Sequence, residues 1–484
     1  MAAIFPAHFE GSLYGNLGSN CIFQVHAAAQ KLRPLDNFGP PGSFALCNRL
    51  HLLKQFFWTY PEGKGEFPVG GVSWYEAAAY AEFVGKTLPT VYQWYHAARL
   101  GIVSRVLKLS NFSGQGPARV GTYQGLGPFG TYDMAGNVKE WCLNPVGDRR
   151  FILGGAWNEP SNTHREPDAR RAFDRLPNFG FRLAKYTSPL PDALIGPVPF
   201  VTRDRRSDKP ADEQAFGIYR NLHSYDKTDL QPVVESVDET SPYWHKERVT
   251  LQTAYGNERM PIYLYLPKNS RQPYQTVLFF PTGAAFSGAE TPDEVKTVLA
   301  DFIVRSGRAL ILPVYRASLE RGPIPAGTGP NQYREILLAC SKDLRRSIDY
   351  LETRPEFDLR KLAYYGHSMG GEVGPMMIAV EPRFKVAVLV SSGANQRRSG
   401  EVDSWNFAPH VKIPILMLNG RDDFTYPPET SQAPLFRMLG TPEQDRRYIV
   451  YDGGHEDFTT RMDFIKEALD WLEHYLGPVN LKPA

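Results

Sequence analysis

A serine stands at the tip of a sharp turn between a predicted strand and a predicted helix. An apolar run, Leu362 to Tyr365, leads into the sequence GHSMG at positions 366–370, and small residues follow. A G-x-S-x-G turn in this setting holds the serine hydroxyl above the end of a sheet, and its glycines let strand and helix pack closely. Such a turn is a nucleophile elbow, and Ser368 is therefore a candidate nucleophile.

A histidine and a carboxylate occur where a base and an acid would have to lie. A serine hydroxyl is a weak nucleophile at neutral pH unless a base takes its proton, and histidine does this best. A carboxylate then fixes the histidine tautomer and stabilises the imidazolium. After Ser368, one predicted strand is followed by Asp422 and Asp423, and the next ends at Asp-Gly-Gly-His455. The order along the chain is thus serine, acid, histidine, and either Asp422 or Asp423 could be the acid.

The other histidines near or after the serine fit the base less well. His410 precedes a strand, and His474 lies inside the amphipathic C-terminal helix, where a solvated side chain is the simplest interpretation. His367 adjoins the serine, which is common in such turns and needs no catalytic role. His455 is therefore the predicted base.

Backbone amides near the serine are candidates for an oxyanion hole, which needs two N–H donors. Met369 supplies one, because it follows the nucleophile directly. The second is expected from the small-residue loop PTGAA at 281–285, where Gly283 or Ala284 can present its amide closely. An ordinary strand-to-loop turn is the alternative for this loop.

The elements around these residues alternate between strand and helix. A β-hairpin turning at Gly256-Asn257 comes first, and continuous apolar strands separated by helices follow. This pattern predicts an α/β fold with a mostly parallel sheet flanked by helices. The predicted strands are Thr276–Phe280, Ala309–Val314, Leu362–Gly366, Val386–Val390, Ile413–Leu418 and Tyr448–Tyr451. The predicted helices are Pro292–Ser306, Tyr333–Glu352 and a last one capped at Thr460 that buries Met462, Ile465, Leu469, Leu472 and Leu476.

Residues from about 247 to 478 resemble an α/β-hydrolase of the dienelactone hydrolase and prolyl-oligopeptidase-like branch. The sequences RSIDYLETRP and KLAYYGHSMGG are particularly similar. The family's G-x-x-D pattern after the strand selects Asp423 over Asp422. The resemblance implies hydrolysis of a small-molecule carboxylic ester with a short acyl group. The reaction would pass through an acyl-enzyme and would require no cofactor. A non-catalytic ligand-binding or sensory module is the alternative.

Several motifs between about 58 and 185 resemble the formylglycine-generating enzyme (sulfatase-modifying factor) family. They are VSWYEA, where Ser73 and Glu76 have the spacing of a capping box, then KTLPT, FGTYDMAGNVKEW, LGGAW and FGFR. The resemblance implies an irregular α+β domain related to C-type lectins. In some bacterial chains this domain and a hydrolase follow a Ser/Thr kinase, but no Gly-rich loop, H-R-D or D-F-G occurs here.

The chemistry of that family does not follow from the resemblance. Oxidising members bind copper through two cysteines after an RGGS element, and alignment on residues 153–156 puts Glu159 and His164 near those positions. No cysteine occurs between Cys142 and Cys340. Because a Cu(I) site needs such soft thiolate ligands, the domain is predicted to be non-catalytic.

A structural calcium ion is a further implication of the same family. Its members hold calcium through a segment that corresponds here to Asp133–Glu140. Two carboxylates with turn carbonyls suit calcium. Equally, Asp133 and Glu140 could only hydrogen-bond the turn.

Length and composition restrict the organisation and the partners. The 484 residues, 42% hydrophobic and 22% charged, suit a multidomain globular protein. A net charge of +2 gives no reason to expect nucleic acid. No apolar run reaches the ~20 residues of a membrane span, and no signal peptide is recognisable, so a cytoplasmic location is expected. The predicted domains are 1–57 (unassigned), 58–186 (formylglycine-generating-enzyme-like), 187–246 (linker and connecting segment) and 247–484 (hydrolase).

Overall fold

The computed structural model describes two compact units, one within residues 1–200 and one within 201–484. The described residues are 63–98, 106–107, 109–112, 116–159, 161–165, 167–198, 203–288, 291–325, 327–394, 398–456, 458–459 and 461–483. The unassigned segment 1–57 and the predicted cap Thr460 lie outside them. None of the described helices is both long enough and apolar enough to cross a membrane.

In its described residues, the first unit combines three short helices with a small four-stranded sheet. Helix α1 begins after Ser73, whose side chain and that of Glu76 form the predicted capping box. The four strands lie in the order β3-β2-β1-β4, and the buried indoles of Trp94 and Trp141 lie in the interior. The elements are α1 Trp74–Phe83, α2 Val91–Ala98, β1 Lys139–Val146, β2 Arg149–Leu153, β3 Ala169–Arg171, β4 Phe179–Gly180 and α3 Asp192–Ile195.

The second unit is built on a nine-stranded sheet in the order β13-β12-β11-β10-β8-β9-β7-β6-β5. Strands β8 to β13 are parallel, and β7, β6 and β5 continue the sheet in antiparallel pairing. Strands β8, β9, β11 and β12 are buried along their whole length, and β10 is buried from Leu362 onward, as expected for a parallel sheet covered by helices. The strands are β5 Val233–Asp238, β6 Trp244–Gln252, β7 Arg259–Pro267, β8 Tyr274–Phe280, β9 Ala309–Pro313, β10 Phe357–His367, β11 Val386–Val390, β12 Ile415–Gly420 and β13 Arg446–Tyr451.

Helices in the connections between the strands complete the predicted α/β fold, which is confirmed. The predicted helix 292–306 is broken at Ala300, whose φ of −142° is not helical. The last helix buries Phe464, Ala468 and Trp471 rather than Met462, which is 77% exposed. The helices are α4 Glu213–Leu222, α5 Pro292–Leu299, α6 Asp301–Arg305, α7 Pro330–Leu351, α8 Met369–Val380, α9 Ser404–Phe407, α10 Ala433–Met438 and α11 Met462–Leu476.

The second unit begins earlier than the predicted hydrolase boundary at 247. Most of the predicted linker 187–246 belongs to it, because β5 pairs with β6 at the edge of the large sheet. Phe216 of α4 is buried in the same core. Arg205 is also buried, and it donates hydrogen bonds to Ala394 O and Asp403 Oδ2, both at 2.7 Å.

Gly370 is expected to tolerate no side chain. A Cβ there would lie 2.1 Å from Phe280 O, which is a backbone atom that cannot turn away. We expect Gly370→Ala to lower the free energy of unfolding by about 1–3 kcal/mol through overpacking. Gly217 lies in helix α4 with open space where a Cβ would be, and Gly217→Ala should raise the free energy of unfolding by up to about 1 kcal/mol. Urea unfolding measures the free energy of unfolding of both variants. An equal change in the two variants would contradict the expected overpacking at Gly370.

Candidate active site

The serine elbow lies where the central strand β10 ends and helix α8 begins. Ser368 has φ 54° and ψ −105°, a strained conformation for a residue with a side chain. Its N–H donates to Val390 O at 2.9 Å, which fixes the turn against the neighbouring strand β11. The turn is tight because Gly366 and Gly370 let backbone atoms approach where a Cβ would collide. The serine is thus held at the end of the sheet's parallel part, as the motif predicts.

The structure brings Ser368, His455 and Asp423 together in one hydrogen-bonded line. Ser368 Oγ lies 2.8 Å from His455 Nε2. His455 Nδ1 lies 2.9 Å from Asp423 Oδ2. All three residues are at most 8% exposed, so water competes little for these bonds. This is the geometry of a nucleophile, a base and an orienting acid.

Asp423, and not its neighbour Asp422, faces the histidine. The loop after β12 turns so that the N–H groups of Thr425 and Tyr426 both donate to Asp423 Oδ1 at 2.8 Å. These two bonds leave Oδ2 directed at His455. Asp422 instead donates its backbone N–H to Gly453 O at 2.8 Å and is only half-buried. The loop backbone therefore decides between the two aspartates.

Neighbouring strand ends position the loop that carries the histidine. Ser391, just after β11, donates its hydroxyl to His455 O. Asn419 at the end of β12 donates its side-chain amide to Ser392 O at 2.7 Å. Parallel strands end at the same edge of a sheet, so residues distant in sequence meet there.

Of the candidate oxyanion donors, Met369 and Gly283 have amides available. The loop after β8 lies against the elbow, because Gly370 N–H donates to Pro281 O at 3.2 Å. In the described parts of the chain, neither Met369 N–H nor Gly283 N–H has a hydrogen-bond acceptor. The amide of Ala284 is engaged by Thr282 Oγ1 at 3.3 Å. Gly283 is therefore the better second donor.

The rival histidines have other surroundings. His410 stacks on Phe216 with ring centroids 3.4 Å apart, and His474 is exposed beside Tyr475. His367 is fully buried, and its Nε2 lies 3.8 Å from Glu456 Oε1. Burial, together with the nearby His455, lowers the pKa of His367 to about 3. It is therefore neutral at physiological pH.

The neutral, buried His367 is expected to make stability fall in mild acid. Between pH 6.5 and 3 the unfolded chain binds a proton at this position that the folded chain does not, so the free energy of unfolding falls with pH below about 6.5. The slope from one such group is at most about 1.4 kcal/mol per pH unit. Urea unfolding from pH 7 to 5 should show a smaller slope for His367→Leu than for the wild type. The exposed control His474→Leu should keep the wild-type slope, and an unchanged slope in His367→Leu would refute the assignment.

A cavity of about 640 Å³ opens elsewhere in the second unit. Its lining includes Tyr255, Arg316, Arg321 and Lys342, and it does not include Ser368, Asp423 or His455. Arg321 donates to buried Asp343 at 2.8 Å and to the hydroxyl of Tyr255 at 2.9 Å. These bonds hold the cavity wall together and are separate from the Ser368 site.

The candidate calcium residues of the first unit are occupied by protein donors. Glu140 forms an ion pair with Arg182 and accepts a bond from Trp94 Nε1 at 2.8 Å. Asp133 Oδ2 accepts the N–H of Gly121 at 2.8 Å. Among the described residues, no group of three or more His, Cys, Asp or Glu side chains is arranged to hold a metal. These contacts agree with the alternative in which the two carboxylates bond the turn, and a calcium ion at this segment stays a prediction.

The positions aligned with the family's copper-binding cysteines hold residues of other types. Glu159 is buried, with Oε1 2.8 Å from Lys139 Nζ and 3.2 Å from Asn178 Nδ2. His164 is buried on a short 3-10 helix, Ser161–Arg165, with its ring 5.8 Å from that of Trp94. An ion pair and an imidazole do not supply the two thiolates of a Cu(I) site. Cys142 is buried too, which raises the pKa of its thiol well above the usual value.

Residues 52–187 match the family of the sulfatase-modifying factor enzyme 1-like domain, as the motifs of the first unit predict. The chain is 42% identical over 155 residues to the serine/threonine-protein kinase pkn1 of Chlamydia pneumoniae, covering 25% of each protein. It is 30% identical over 174 residues to the inactive C-alpha-formylglycine-generating enzyme 2 of Bos taurus, covering 27% of this chain and 57% of that one. The chain thus spans a quarter to somewhat over half of these relatives.

Solved structures of esterases are similar to about half of the chain. Acetyl xylan esterase 1 from Thermoanaerobacterium sp. JW/SL YS485 is 16% identical with a TM-score of 0.45, covering 56% of this chain and 96% of that one. Glucuronoyl esterase from Solibacter usitatus is 14% identical with a TM-score of 0.41, covering 55% and 93%.

Proposed function

We propose that the second unit is a serine carboxylesterase that hydrolyses small, short-acyl carboxylic esters. The observation that carries this proposal is the hydrogen-bonded line from Ser368 Oγ through His455 to Asp423, with distances of 2.8 and 2.9 Å. It stands on a strained strand-to-helix turn at the end of a parallel sheet, which is the setting in which such a serine acts as a nucleophile.

In the acylation half, Ser368 Oγ attacks the ester carbonyl carbon while His455 Nε2 takes its proton. The carbonyl π electrons move onto oxygen, and the new bond to Oγ gives a tetrahedral oxyanion. Met369 N–H and Gly283 N–H are the proposed donors to it. When the carbonyl re-forms, the bond to the alcohol oxygen breaks, and His455 returns the proton to that oxygen. The products are a free alcohol and an acyl group on Ser368.

Deacylation repeats these steps with water as the nucleophile. His455 takes a proton from water, the hydroxyl oxygen adds to the acyl carbon, and Oγ leaves with the proton that His455 returns. Asp423 keeps Nδ1 protonated, so that Nε2 is the acceptor, and it stabilises the imidazolium formed in each half. The carboxylic acid product and the free serine restore the starting state without a cofactor.

An ester panel tests this proposal. Purified protein is assayed on p-nitrophenyl esters from acetyl to octanoyl, and we expect turnover that is fastest at the short end. Failure to cleave any of these esters would overturn the assignment. In that event the non-catalytic ligand-binding module is the second candidate, in which the site around Ser368 binds a ligand without turnover.

We propose a non-catalytic role for the first unit within the same chain. Support comes from the occupants of the copper positions, Glu159 and His164, and from the ion pair of Glu140 with Arg182. Calcium at Asp133 and Glu140 stays a prediction that these contacts do not favour. Copper-dependent oxidation of a peptide cysteine by the purified protein would refute the non-catalytic role.

A further inference from the structure

A buried carboxylate that the mechanism does not use lies next to the nucleophile. Glu372 is in the first turn of helix α8, four residues after Ser368, and is only 5% exposed. A buried carboxylate is costly unless it is paired and hydrogen-bonded. Its partners therefore define what the residue does.

Two side chains from other parts of the fold satisfy Glu372. Arg398 donates Nη2 to Glu372 Oε2 at 2.9 Å and Nε to Oε1 at 3.2 Å, which is a two-pronged ion pair. Tyr426 donates its hydroxyl to Oε2 at 3.1 Å. We call Glu372, Arg398 and Tyr426 the Glu372 network.

The network reaches the catalytic acid through Tyr426. The backbone N–H of Tyr426 donates to Asp423 Oδ1 at 2.8 Å, so the same residue bonds Glu372 by its side chain and Asp423 by its main chain. The Tyr426 ring also lies 5.5 Å from the imidazole of His455. The acid loop is thereby fastened to the helix that carries the nucleophile.

The network also reaches the other side of the elbow. The Arg398 guanidinium stacks over the ring of Tyr333 at 4.3 Å. The hydroxyl of Tyr333 lies 3.9 Å from Met369 Sδ, and Met369 is the proposed oxyanion donor. The network is therefore linked to the acid loop through Tyr426 and, through Tyr333, to the side chain of Met369.

We propose that the Glu372 network positions Asp423 relative to Ser368, so that its three members are positioning residues for the triad. This inference rests on the proposed function. Asp423 lies on a loop, and loops move more than the elements they join. A loop tied by a buried, charge-assisted contact to the nucleophile helix keeps the acid, base and nucleophile in one geometry. A misplacement of about 1 Å can cost up to about 10²-fold in rate.

The test is a double-mutant cycle between Tyr426→Phe and Asp423→Asn. Tyr426→Phe keeps the ring and the backbone N–H and removes only the bond to Glu372. We expect it to lower kcat on p-nitrophenyl acetate about tenfold with an unchanged KM. In the Asp423→Asn background the same substitution should change kcat by about twofold or less, because the group that it positions is already lost.

A matched control has the same contacts elsewhere in the unit. Tyr225 donates its hydroxyl to buried Asp349 at 2.7 Å, and Asp349 is paired with Arg383 at 2.8 Å. This cluster lies at the C-terminal end of helix α7, away from the triad. Tyr225→Phe should leave both kcat and KM at wild-type values.

The outcomes test the network inference and the esterase proposal separately. If the wild type cleaves esters and Tyr426→Phe keeps full kcat, or loses tenfold equally in both backgrounds, the network inference is overturned while the esterase proposal stands. If the wild type cleaves no ester, the esterase proposal itself fails. Should Tyr426→Phe fold poorly by thermal melting, Glu372→Met, which removes the acceptor of the Tyr426 hydroxyl at a similar side-chain length, takes its place in the cycle with the same expected pattern.

Discussion

Replacement of Ser368 by alanine is expected to lower kcat on short p-nitrophenyl esters by about 10⁴- to 10⁶-fold, which is the range seen when a triad nucleophile is removed. Alanine removes only Oγ, the atom 2.8 Å from His455 Nε2. Without it no acyl-enzyme forms, and only the slow direct attack of water on bound ester remains. Initial rates with and without the substitution measure the effect.

Ser347 provides the control for this substitution. It is a fully buried serine of helix α7 whose hydroxyl donates to Asp343 O at 2.9 Å. Ser347→Ala should keep the wild-type kcat, even if it loses some stability. Full activity in Ser368→Ala would remove Ser368 from the mechanism.

Replacement of Asp423 by asparagine is expected to lower kcat about 10⁴-fold. The amide offers an N–H to His455 Nδ1, which favours the tautomer whose Nε2 carries the proton, and that nitrogen can no longer accept one from Ser368. The two backbone N–H groups that hold Oδ1 of Asp423 keep the rest of the loop in place. The rate should therefore fall without loss of the folded state, which thermal melting checks.

Asp422→Asn is the matched control, one residue away on the same loop. Because Asp423 supplies the carboxylate oxygen next to His455 Nδ1, and Asp422→Asn keeps the backbone N–H that bonds Gly453 O, the substitution should leave kcat within about twofold of the wild type. The reverse result, a large loss in Asp422→Asn and none in Asp423→Asn, would contradict the geometry of the loop.

The hydrogen-bonded arrangement of Ser368, His455 and Asp423 was predictable because it depends on chain order and on where the strands end. Ser368 lies in a recognisable turn, and His455 and the aspartates follow apolar strands, so a parallel sheet must bring their loops to one edge. The residue types and their order did not decide whether Asp422 or Asp423 is the acid, because that choice depends on the two backbone amides that bind Asp423 Oδ1. Only the family pattern selected Asp423 in the sequence.

The Glu372 network could not be read from the sequence. Its members are 26 and 54 residues from Glu372 and meet only in the folded chain. Strand β5 was missed for a related reason: it is an exposed edge strand paired on one side only, so its residues lack a buried face. The choice of Gly283 over Ala284 likewise needed the contact of Thr282 with the Ala284 amide.

The chemistry of Ser368 is tested most directly by a fluorophosphonate probe, followed by mass spectrometry of the intact protein and of its peptides. Such a probe forms a covalent bond only with a serine whose proton is taken by an adjacent base. We expect one phosphonyl adduct, on the peptide that contains Ser368, with none in Ser368→Ala and much slower labelling in Asp423→Asn. An unlabelled wild-type protein, or an adduct that persists in Ser368→Ala, would contradict this expectation.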